Sequence, residues 1–259
     1  MKIEVLESTE NKLKMIVSDV NYAFLNSVRR TSMVEVNTMA IEDVEFFKNT
    51  SVLYDEVLAL RLGLIPLKTD LKTYKVRSSC FCKGKGCNSC QVTFSLEATG
   101  PCIVTAGDLK SSDPKVVPVY PDMPLVKLAS GQEVKLRAVA ILGKGVEHTK
   151  WSTGLFTYQH YPEINLNSSK IENAEQFVNA CPRKVFSLEG KKVKVNDILK
   201  CNMCKYCEEL FEDAVTIKGV ENKFIVTFES WGQLPPKTII LEALKVLNKK
   251  LDLVLEAIE

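Results

Sequence analysis

The strongest constraint on how this chain can fold is a set of four cysteines, Cys181 followed by Pro182, then Cys201-x2-Cys204-x2-Cys207. Three thiolates at two-residue spacing, with a distant fourth before a proline, form the ligand pattern of an iron–sulfur cube. Such a cube would tie together two segments about 20 residues apart, and its ligation energy would become folding energy. Two other readings of the four are open. Zinc also accepts four thiolates in a closed tetrahedral site, and buried Cys can serve as a small apolar residue. The paired spacing and the Cys-Pro step favour the cluster, either [4Fe-4S] or [3Fe-4S].

In two-cluster ferredoxins the Cys-Pro cysteine ligates the cluster of the other motif. Counting back from Cys181 at those spacings reaches Phe177, Ala174 and Ile171, and counting on from Cys207 reaches Phe211. One ligand set is complete and the other is replaced by apolar residues. Electron transfer wants a second centre or a docked donor, so this pattern favours a structural cluster. A single-cluster electron carrier is the alternative.

A second group is Cys80-x-Cys82-x4-Cys87-x2-Cys90, with Gly84 and Gly86 allowing a tight loop. Four ligands in eleven residues can close a zinc site. Two disulfides, or free thiols, would also satisfy the spacing. Cys102 stands alone and is expected to be buried.

No catalytic constellation stands out. The chain has two histidines, His148 and His160, and neither adjoins a nucleophile motif. Gly143-Lys144-Gly145 lacks the rest of a phosphate loop and reads as a turn after a strand. Glu42-Asp43 and Asp55-Glu56 read as solvated carboxylate pairs. The formal net charge of +2 over 259 residues argues against a broad phosphate-binding surface. A zinc-dependent nucleic-acid module is therefore disfavoured. No run of about 18 apolar residues suggests a membrane span, and the opening Met1–Val17 reads as strand rather than signal peptide, so the cytoplasm is expected.

Along the chain, Ile3, Val5 and Leu13, Met15, Val17 suggest a hairpin. Ser18 or Asp19 would cap a helix burying Phe24, Leu25 and Val28, with Arg29-Arg30 beyond. A second helix is expected over Leu53–Leu62. Residues from about Thr73 to Gly145 read as β, with Val92, Phe94, Leu96, Ala98 and Val134, Leu136, Ala138, Ala140 alternating. Between 165 and 219, a helix over Asn173–Val178 and a strand over Lys192–Val195 accompany the cysteines. Strand Lys223–Phe228 leads to a last helix of about 22 residues. Its Ile240, Leu244, Leu247, Leu251, Val254 and Ile258 fall at 4-3-4-3-4 spacing, a seam for another helix. Leu241, Val246, Leu253 and Leu255 widen that face, and the pattern alone fits a core helix equally well.

Arg29-Arg30-Thr31-Ser32-Met33 through Thr38-Met39-Ala40-Ile41, then Asp55-Glu56 through Arg61-Leu62-Gly63-Leu64-Ile65-Pro66-Leu67, closely resemble an assembly-platform family of RNA polymerases. That family comprises bacterial alpha subunits, the third-largest subunit of eukaryotic RNA polymerase II and the archaeal D subunit. Gly143-x-Gly145-x-x-His148-x-Lys150-Trp151 resembles the return from its inserted domain. With the ferredoxin-like insert, the resemblance points to the archaeal branch and covers essentially the whole chain. Asn37 departs from the family's usual proline, and a more flexible turn is expected there. The Cys80–Cys90 loop resembles the eukaryotic zinc loop with a middle gap of four residues instead of three.

The resemblance implies an α+β fold. A discontinuous alpha-subunit-like dimerisation domain (1–41, 151–164, 220–259) would hold an inserted β-rich domain (42–150) and an inserted ferredoxin-like iron–sulfur domain (165–219). It also implies a heterodimer with the small subunit L through the Arg29-Arg30 helix and the helix from about Pro236. Subunits N and P and the large B subunit would dock on that pair, with nucleic acid contacted only through the assembled polymerase. The nucleotidyltransferase site would lie on the largest subunits, so this chain would be non-catalytic.

Overall fold

A computed structural model of the chain describes residues 1–190 and 192–258. They form a mixed α+β protein with two compact units. One contains residues 1–8, 13–25 and 157–227, the other 9–12, 26–156 and 228–259. No helix among the described residues is long and apolar enough to cross a membrane.

The chain starts with β1 (Lys2–Ser8) and β2 (Lys12–Ser18), an antiparallel pair with Ile3 opposite Val17 and Val5 opposite Met15. Met15, Ile16 and Val17 are all buried, so β2 is covered on both faces. The helix α1 (Tyr22–Val34) follows. Its cap is neither Ser18 nor Asp19: the Asn21 side-chain oxygen accepts the Phe24 N–H at 2.8 Å. Asp19 instead takes the left-handed conformation, φ 60°. Leu25 and Val28 are buried as expected, while Phe24 is exposed.

The larger unit is built around β3 (Asn37–Asn49), α2 (Asp55–Gly63), β4 (Gln91–Thr99), β5 (Cys102–Thr105), β6 (Lys110–Ser111), β7 (Pro124–Leu128) and β8 (Glu133–Lys144). One sheet has the order β3-β8-β4-β6 and a second pairs β5 with β7. The alternating apolar residues of β4 and β8 face one core with Met39 and Ile41 of β3 and Leu58 and Leu62 of α2. Asn37 does not form a turn; it opens β3, opposite Lys144. Gly143 and Lys144 likewise continue β8, so the turn lies after them. Gly143 is required by packing, because a Cβ there would lie 2.4 Å from the Trp151 ring. Trp151 donates its indole N–H to the Ile141 carbonyl at 3.3 Å. Contrary to expectation, Cys102 is exposed at the start of β5. The Glu42-Asp43 pair is engaged: Glu42 binds Lys150, and Asp43 lies 3.6 Å from Arg77.

The chain continues through β9 (Gly154–Leu166), α3 (Ala174–Ala180), β10 (Phe186–Glu189), β11 (Lys192–Val195), α4 (Tyr206–Leu210) and β12 (Val215–Ser230) to α5 (Pro236–Ile258). The sheet order β1-β2-β12-β9 brings the N-terminal hairpin beside two strands from much later in the chain. β10 and β11 form a separate hairpin.

Pro236 begins α5 at the first helical position, where its missing N–H costs no intrahelical bond. The residues of α5 buried in this chain are Pro236, Ile239 and Ala243. The predicted seam is offset by one position: Ile240, Leu244 and Leu247 are half-buried, and Leu251, Val254 and Ile258 are exposed. The Glu35 carboxylate anchors the helix, accepting from Lys250 at 2.7 Å and Lys144 at 3.2 Å. The Lys250 hydrogen bond is the largest cause holding the Glu35 carboxyl below its ordinary range.

Candidate metal centres

The Cys80–Cys90 loop gathers all four of its thiols. It follows one turn of 3-10 helix at Arg77–Ser79 and ends immediately before β4, which begins at Gln91. Lys83, Gly84 and Gly86 adopt positive φ and fold the loop back on itself. Arg77 steadies its base, donating to the Gln91 side chain at 3.0 Å. The four Sγ atoms lie within 4.8 Å of one another. Cys80–Cys87, Cys82–Cys90 and Cys87–Cys90 are separated by 3.5, 3.6 and 3.8 Å.

A Zn–S bond of about 2.3 Å sets a tetrahedral S–S edge of about 3.8 Å, so the arrangement suits one ion. Disulfide sulfurs would stand about 2.05 Å apart; here all four cysteines are free.

The electrostatics of the loop also favour a cation. Burial pushes the Cys90 thiol up to about 12. Burial also opposes ionisation of Cys82, but hydrogen bonds from Cys80, the Gly86 N–H and the neighbouring thiols bring it down to about 7. Full ionisation of the group requires a positive charge at its centre. The Cys87 N–H donates to Cys90 Sγ at 3.3 Å, the kind of outer-shell bond that holds a metal thiolate in place. Zinc therefore fits the donor set. We expect one zinc per chain, lost in Cys82→Ser. Metal removal should speed tryptic cleavage after Lys83 and Lys85 by roughly tenfold, about 1.4 kcal/mol in the local opening equilibrium. Cleavage unchanged by a chelator would show that no ion holds the loop.

Cys181, Cys201, Cys204 and Cys207 are set in the smaller unit. Cys181 ends α3, Cys201 follows a one-turn helix capped by Asp197, and Cys207 lies in α4. Met203 and Lys205, which separate the three later cysteines, both take positive φ and wrap the loop. Burial pushes the Cys207 thiol up to about 11 and raises Cys201 as well. The charges of Cys181 and Cys204 raise both further. Among the described residues, the thiols close enough together to share a single ion are those of Cys80, Cys82, Cys87 and Cys90, not this second set.

Cys201 and Cys207 are buried, Cys181 is half-buried and Cys204 exposed. A donor set of four thiols, without histidine or carboxylate, suits an iron–sulfur cluster or another thiophilic centre. One supporting residue escaped the sequence reading: Gln159 on β9 donates to the Cys201 carbonyl at 3.0 Å. Only its long-range placement identifies it.

The apolar residues at the four missing-ligand positions are brought together. Phe177 is fully buried, and its ring centroid is 4.9 Å from that of Phe211. Ile171 and Ala174 pack against the same core, as do Phe186, Val193 and Ile217.

The histidines build no catalytic group among the described residues. His148 Nδ1 accepts the Lys150 N–H at 3.1 Å, and His160 lies 3.3 Å from the Val220 carbonyl.

Comparison with known proteins gives the class first. The profile described as RNA polymerase Rpb3/RpoA insert domain matches residues 34–155. Full-length relatives then narrow it. DNA-directed RNA polymerase subunit Rpo3 of Methanosphaera stadtmanae is 40% identical over 261 residues, covering 97% of this chain and 96% of the relative. Rpo3 of Methanosarcina acetivorans is 40% identical, over 96% of this chain and 95% of its own length. That of Methanothermobacter thermautotrophicus is 39% identical, over 98% of each. The chain belongs to the Rpo3 family of archaeal RNA polymerase subunits.

Proposed function

We propose that the chain is the assembly-platform subunit of an archaeal DNA-directed RNA polymerase, the one designated D. It pairs with the small subunit L through the helix bearing Arg29-Arg30 and through α5. Subunits N and P and the large B subunit dock on that pair, and the chain performs no nucleotidyl transfer itself. Its dimerisation domain comprises 1–41, 151–164 and 220–259, with a β-rich insert at 42–150 and a ferredoxin-like insert at 165–219. Cys181, Cys201, Cys204 and Cys207 hold an iron–sulfur cluster that stabilises the second insert, and Cys80, Cys82, Cys87 and Cys90 hold zinc.

The observation that carries the assembly role is the offset on α5. The chain buries Ile239 and Ala243 and leaves Leu251, Val254 and Ile258 exposed. A wide apolar face beyond the helix's own packing stripe fits a partner helix. The structural role of the cluster is supported by the apolar groups that converge where a second cluster's ligands would stand.

Coexpression with an archaeal subunit L tests the proposal. The expected result is a one-to-one heterodimer with iron in stoichiometric amount. A chain that stays monomeric beside L, yet passes electrons reversibly through its iron, would be an electron carrier instead.

A further inference from the structure

The smaller unit contains a cleft of about 660 Å³ whose lining includes Lys14, Arg183, Lys184 and Lys200, and no carboxylate. Strands β2, β9 and β12 contribute Lys14, Thr157, Gln159 and Thr227; the opposing segments are Pro182–Lys184 and Leu199–Asn202. Three cations of the four, Lys14, Arg183 and Lys184, make no ion pair with any described residue. Lys200 reaches Asp197 at 3.4 Å, an exposed pair worth little.

A chain with a formal net charge of only +2 has concentrated four positive side chains around one concavity. We propose that this cleft is a docking site for an acidic peptide segment of a partner protein. Charge complementarity selects the ligand: guanidinium and ammonium groups take carboxylates.

The size of the cleft favours a short segment over a nucleic acid. A volume of this order accommodates a few residues, whereas a phosphate backbone is normally met by an extended basic surface. Cys201 itself lines the cleft, and the Gln159 bond to its carbonyl joins the two sides.

An oligoglutamate peptide with a fluorescent label, titrated with the full chain, tests the site by anisotropy. Binding should weaken as salt rises, and Lys14→Glu with Arg183→Glu should raise the dissociation constant by roughly tenfold. Lys237→Glu, which does not line the cleft, should leave it unchanged. Should the double reversal fail to fold by circular dichroism, Lys184→Gln provides the same test with a two- to threefold effect. Equal binding by wild type and reversals overturns the proposal. So does an oligothymidylate that displaces the peptide and binds more tightly, since it would assign the cleft to phosphates. Iron is assayed in each preparation: peptide binding by iron-free chain supports the cleft while counting against the cluster, and loss of binding by an iron-replete reversal bears on the cleft alone.

Discussion

Cys201→Ser combined with Cys207→Ser is expected to remove the iron and open residues 165–219 to protease, while the chain still binds its small partner. The expected gain in cleavage within that segment is about a hundredfold, equivalent to about 2.7 kcal/mol. The size follows from the smallness of the region. Its core consists of Phe177, Val185, Phe186, Val193, Ala214, Val215 and Ile217 around the two buried cysteines. A core of that extent in some 55 residues is marginal without a staple. The proposed cluster would supply one by joining Cys181 to the 201–207 loop, and its ligation energy would be realised only when both segments are in place.

Serine makes the defect worse than simple loss of a ligand. Cys201 and Cys207 are 6% and 5% exposed, so each hydroxyl would be buried in an apolar setting. A buried hydroxyl without a partner costs about 1–3 kcal/mol. Partner binding lost before cleavage appears would contradict this account, because it would mean that the cysteines hold the dimerising elements themselves. Iron retained in full would show that the ligands lie elsewhere. Visible and paramagnetic-resonance spectra of anaerobically prepared wild type give the reference.

How far the sequence foretold these sites depends on the range of each signal. The grouping of Cys80, Cys82, Cys87 and Cys90 was readable because their spacing is local: short gaps fix which thiols can face one centre. The count to Phe177, Ala174, Ile171 and Phe211 was equally local, and all four meet in one apolar cluster. β4 and β8 were visible through strict alternation, whereas β3 was hidden. Bulges between Ile41 and Asp43 and between Phe46 and Lys48 shift its register, so its apolar residues lose their period of two.

Tertiary context decided the rest. Asn37 became a strand residue because Lys144 pairs with it, although the missing proline suggested a loose turn. Cys102 is exposed although it pairs across β5–β7 with the buried Leu128. Gln159 and Lys14 had no sequence signal at all, since each matters only beside residues far along the chain.

Leu251→Ser, Val254→Ser and Ile258→Ser together are expected to abolish stable pairing with the small subunit while leaving the isolated chain folded. These side chains are 61%, 55% and 76% exposed, so the single chain loses little when they shorten; surface substitutions usually change stability by less than about 0.5 kcal/mol. In a heterodimer each would be buried against the partner, where a large aliphatic side chain contributes about 1.5–3 kcal/mol. Even with heavy discount for incomplete burial, partner affinity should fall at least about a hundredfold, or about 2.7 kcal/mol. Ile239→Ala supplies the opposite pattern. Its side chain is fully buried within this chain, so the substitution should cost about 2–5 kcal/mol of folding stability. Denaturant midpoints and a pull-down with the small subunit separate the two effects. If the triple variant binds as tightly as wild type, the exposed seam of α5 is not the pairing surface, and the assembly role loses the observation on which it rests.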